Sequence, residues 1–129
     1  MSTILSFELI EAIFVDMKRD EQQLMTPEQV AQARLVGERI ARLRRARNVL
    51  QSTAVVRAGL SRPTATRIEA GDPSRTLSQV LRYLGAIAPS MTLLQLLQGD
   101  DPSLVALAER EKRQRVRALS EQERQKLDF

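Results

Sequence analysis

The chain has 129 residues, a formal net charge of +4, no Cys and no His. That length suits one domain with appendages. The missing residue types exclude a disulfide framework, a thiolate metal site, a thiol nucleophile and an imidazole general base. Hydrophobic residues make up 43% and aromatics only 3%, so a core must be built from Leu, Ile, Val and Ala. The five glycines are scattered and form no phosphate-cradling loop. No catalytic residue, metal or cofactor is expected.

Charge is unevenly spread. Residues 1–33 carry two basic and six acidic groups, and residues 34–75 carry ten arginines against three acids. Residues 76–129 carry eight basic and seven acidic groups. Arg favours planar, bidentate contact with phosphate or guanine. A basic face alone is common in soluble domains, so the sign does not decide the ligand.

The pattern predicts helices throughout and no strands. Ile4, Leu5, Leu9, Ile13 and Met17 recur at helical spacing over residues 4–22. The apolar run within it, residues 4–15, is too short and too charged for a membrane span or signal peptide, so no membrane partner and a cytoplasmic location are expected. A second helix starts at Thr26, with Pro27 in its first turn and Gln29 completing a capping box. Met25 and Val30 are placed to form a hydrophobic staple. This helix either runs unbroken to about Asn48 or breaks near Gly37. Val36, Ile40 and Leu43 are its inward residues.

Residues 51–58 predict a short helix stopped by Gly59. Ser61 caps the next, with Pro63 in its first turn and an end near Ala70. Ser74 or Thr76 starts another, with Leu77, Val80, Leu81 and Leu84 apolar and Pro89-Ser90 as its breaker. Residues 91–98 form a short apolar helix. Its Leu93, Leu94, Leu96 and Leu97 read as core, with a dimer seam as the alternative. Ser103 caps a further helix, with Leu104, Leu107 and Val116 on one side. Ser120 and Glu123 read as a second capping box opening a final short helix. The basic run at 112–117 is placed to track DNA. Its neighbours Glu109, Glu111, Glu121 and Glu123 favour instead a helix surface that pairs with itself.

Two short helices joined by Ala58-Gly59-Leu60-Ser61 make a helix-turn-helix arrangement. The landmarks are RLRRARN at 42–48, Gln51, AGLSRPT at 58–64, RIEAG at 67–71 and the Leu-rich stretch 77–86. With them, residues 35–88 resemble the Cro/C1-type (Xre-like) family, an all-α five-helix DNA-binding domain. The chain then divides into an N-terminal helical extension (1–33), a DNA-binding domain (34–99) and a charged helical tail (100–129).

The resemblance implies roles for individual residues. Arg62, Pro63 and Arg67 sit where base-reading side chains sit, with Thr66 between them. Gln51, Ser61, Thr64 and Arg75 sit at phosphate-binding positions. Arg44 and Glu69 sit where relatives hold a structural ion pair. Pro63 cannot donate, so helix initiation is its alternative role. Val55 and Ala65 exchange bulk relative to the family pattern, and are expected to meet where the two helices cross.

The resemblance implies a dimeric repressor, nucleoid-associated, whose helix at 61–70 reads a palindromic operator in double-stranded DNA. The apolar N-terminal stretch is the expected contact with a second copy or another protein. A second expectation is an antitoxin of the HipB-like branch, which regulates its own operon and binds a protein toxin. A third is a protein-interaction module without DNA binding.

Overall fold

The computed structural model describes residues 21–127. The helix expected over 4–22 therefore lies almost wholly outside the described residues, and 21–24 form a turn. The described secondary structure is entirely helical, in six segments. These are α1 (Pro27–Ala46), α2 (Gln51–Ala58), α3 (Arg62–Glu69), α4 (Leu77–Ile87), α5 (Leu93–Gln98) and α6 (Pro102–Leu127). None of the described helices is long and apolar enough to cross a membrane.

Local chemistry sets most boundaries. Thr26 accepts from the backbone N–H of Gln29, and the Gln29 side chain accepts from that of Thr26. Thr76 with Gln79, and Thr92 with Gln95, repeat this capping box. Thr76, not Ser74, is thus the cap of α4. α1 closes with Asn48 at φ 56°. There the N–H groups of Asn48 and Val49 bond the carbonyls of Arg45 and Arg44. The same double closure ends α2, where Gly59 supplies φ 66° without Cβ strain.

α1 does not break at Gly37, and the expected domain boundary at 33/34 falls inside it. Gly37 serves close approach instead. A Cβ there would lie 2.5 Å from Gly71 N and 2.6 Å from Ile68 O. A Cβ on Gly71 would lie 2.5 Å from Arg34 Cα. The two glycines let the end of α3 press directly on the α1 backbone.

Ile40, Leu43, Tyr83, Leu84 and Leu96 are the largest fully buried side chains. Val55 and Ala65 belong to the same buried cluster, as do Ile68 and Ile87. Tyr83 is the one aromatic in this cluster, so the core is aliphatic around a single phenol. Of the leucine stripe, only Leu96 is buried, whereas Leu94 is 67% exposed.

The last helix departs from expectation twice. Its start is capped by Asp101, whose carboxylate accepts from the backbone N–H and hydroxyl of Ser103, so Ser103 is not the cap. It also does not restart at Ser120. α6 runs through to Leu127, and the Ser120 hydroxyl donates to the Val116 carbonyl one turn back. No residue of α6 is buried, because the helix outruns the domain after its first turns. Val116, grouped by spacing with Leu104 and Leu107 on one side of the helix, is 63% exposed.

Candidate nucleic-acid interface

α3 carries most of the expected site. Its register places Ala65 and Ile68 in the core. The opposite side then presents Arg62 and Thr66 one turn apart, and Pro63 and Arg67 one turn apart. All four are exposed. Ser61 accepts from the Thr64 N–H at 3.3 Å and lies 2.9 Å from the Thr64 hydroxyl. That cap satisfies one free N–H of the first turn and leaves the N-terminal end of α3 open to an anion. Arg62 and Arg67 form no ion pair among the described residues.

The remaining expected phosphate contacts are less open. The Gln51 amide donates to Glu69 at 3.4 Å and to the Thr66 hydroxyl at 3.5 Å. It is half-buried and directed at α3. Arg75 lies beside Asp72, 3.5 Å away and without hydrogen-bond geometry. Burial opposes ionisation of Asp72, but hydrogen bonds from Ser74 and the charges of Arg75 and Arg67 outweigh it and hold the carboxyl below its ordinary range. The loop after α3 thus holds a fixed negative charge near two arginines of the interface.

The expected Arg44–Glu69 pair is present, and it is the centre of a network. Arg44 also donates to the Val49 carbonyl, and the Tyr83 hydroxyl donates to Glu69 at 2.9 Å. Burial and the neighbouring Glu69 charge push the Tyr83 phenol well above its usual value. The hydrogen bond to Glu69 raises the Arg44 guanidinium further. One carboxylate thereby links α1, α2, α3 and α4. An acid at the C-terminal end of a helix opposes the helix dipole, and the Arg44 cation offsets that here.

Sequence reasoning did not resolve the other arginines of α1. Arg39 donates to the Leu96 and Leu97 carbonyls, at the C-terminal end of α5. Arg42 pairs with Glu111 at 3.0 Å, and Arg47 with Asp101 at 2.8 Å. Hydrogen bonds from Ser103 and the Arg47 charge hold the Asp101 carboxyl below its ordinary range. Arg42 does the same for Glu111. Arg45 reaches only the Ala41 carbonyl of its own helix. Four of the five arginines over 39–47 are therefore clamps between helices. Asp101 before Pro102 was a visible cap signal, but its cation 54 residues away was not.

No group of His, Cys, Asp or Glu among the described residues could hold a metal ion. Comparison with known families, curated proteins and solved structures gave no match. The site is therefore read from its own geometry.

Proposed function

We propose that the protein is a sequence-specific DNA-binding regulator of the Cro/C1-type helix-turn-helix class, acting as a repressor. α3 enters the major groove, and two copies occupy a two-fold operator. The observation that carries this reading is the outer side of α3. Arg62, Thr66 and Arg67 are exposed there around an open helix N-terminus, while Arg39, Arg42, Arg44 and Arg47 are engaged elsewhere.

The chemistry fits. A helix fills the major groove, where each base pair presents a distinct donor and acceptor pattern. Arg62 and Arg67 suit the two acceptors of guanine, and Thr66 suits either a base edge or a thymine methyl. Pro63 offers only apolar contact. Ser61, Thr64 and the first backbone N–H groups of α3 face phosphate. The Glu69 network holds α3 against the other helices, so its outer side is presented rigidly.

The test is selection of bound duplexes from a random pool, followed by titration of the selected DNA at several salt concentrations. A two-fold consensus and an affinity that falls steeply with salt support the reading. A flat salt response, or no enriched sequence, overturns it.

A further inference from the structure

The second half of α6 stands clear of the rest of the protein. Residues 112–127 are all exposed, with Val116 at 63% and Leu119 at 60%. A stripe at alternating spacings of three and four runs through Glu109, Lys112, Val116, Leu119, Glu123 and Lys126. That is the spacing of a coiled-coil seam. None of its four charged groups makes an ion pair among the described residues. From the front the stripe reads acid, base, apolar, apolar, acid, base. Read backwards, every charge is inverted.

Such a stripe complements its own reverse. We propose that α6 pairs antiparallel with α6 of a second copy of this chain, about a two-fold axis between Arg117 and Ala118. Val116 then faces Leu119 of the copy, Lys112 faces Glu123, and Glu109 faces Lys126. Each contact occurs twice, as an isologous interface requires. A parallel pairing would set Lys112 on Lys112 and Glu123 on Glu123, and like charges select against it.

A second feature agrees with this register. On the same side of α6, a groove of about 440 Å³ opens between α6 and α1, lined by Leu35, Val105 and Ala108. In the antiparallel pairing, Leu127 of the copy falls opposite Ala108, at this groove. Leu127 is 78% exposed and Leu35 is 45% exposed, so both gain cover.

The overlap of residues 108–127 is about 30 Å long at the helical rise per residue. A single helix pair of that length lies below the standard size of a stable interface. The dimer is therefore weak, and its charged layers make it salt-sensitive. It does not depend on DNA being the ligand, and it forms without nucleic acid.

Sedimentation equilibrium of the full chain, free of DNA and at low and high salt, tests this. A concentration-dependent dimer weakened by salt is expected. Lys112→Glu or Glu123→Lys alone turns two symmetry-related layers repulsive and weakens association by about tenfold or more. The double variant restores it. Circular dichroism should show unchanged helix content in all three, since the positions are exposed. A monomeric wild type, single variants that dimerise like wild type, or a double variant that stays weak would each overturn the proposal.

Discussion

Arg44 Nε and Glu69 Oε1 lie 2.5 Å apart and join α1 to the end of α3, with their side chains only 17% and 14% exposed. Glu69 also accepts from Tyr83 and Gln51, so one carboxylate serves three donors. Glu69→Ala leaves a half-buried guanidinium and a buried phenol without it. We expect a loss of about 2–4 kcal/mol, read as a lower urea midpoint. Adding Arg44→Met to that variant should cost less than the sum of the single changes, because the uncompensated charge goes too. Strict additivity would show that the pair is not coupled.

The two glycines at the α1–α3 contact predict opposite behaviour from a third. Gly37→Ala drives a methyl into the backbone of Ile68 and Gly71, and backbone cannot rotate away. A loss of about 3 kcal/mol is expected, at the upper end of overpacking costs. Gly85 lies within α4, and a Cβ there meets nothing within 4 Å. Gly85→Ala should stabilise by about 0.5–1 kcal/mol through helix propensity and unfolded-state entropy. Thermal melts of the two variants decide it.

Asp101 gives a pH signature. Its folded-state pKa is depressed, so it contributes stability above the ordinary carboxylate range, and loses it as pH falls through the folded value. Asp72 and Glu111 act with the same sign. Asp101→Asn keeps a capping side chain but removes the charge that Arg47 meets. This variant should lose about 1–2 kcal/mol near pH 7. Its stability should then converge on that of the wild type below about pH 4. Parallel curves across that range would argue against the ion pair.

The proposed DNA contacts divide by what they do to specificity. Arg67→Ala should cost about 1–3 kcal/mol on the selected site and relax preference at one position of each half-site. Arg62→Ala should do the same at a different position. Arg75→Ala should weaken all sequences about equally, and by little, because Arg75 is already drawn toward Asp72. Repeating the pool selection with each variant separates these outcomes. Unchanged preference in Arg67→Ala would mean that this side of α3 does not read bases.

Sequence alone determined the helical composition, the aliphatic core and most helix boundaries. The reason is that these rest on contacts within a few residues. Thr26 and Gln29, Gly59, and Ser61 with Pro63 act locally and are visible as patterns. The Arg44–Glu69 pair was reached through resemblance alone. Tertiary structure decided what short-range signals could not rank. Ser120 carried a capping signal, but continuing α6 kept its backbone bonds and left the hydroxyl satisfied by Val116. Gly37 left a break open as the alternative to an unbroken helix, but it is a contact surface for Gly71. Above all, one stretch of α1 held five arginines of similar chemistry. Only the packing of Glu69, Asp101, Glu111 and the end of α5 around them assigned four of the five a partner, because ion pairing depends on proximity in space, and these partners lie 25 to 69 residues away in the chain.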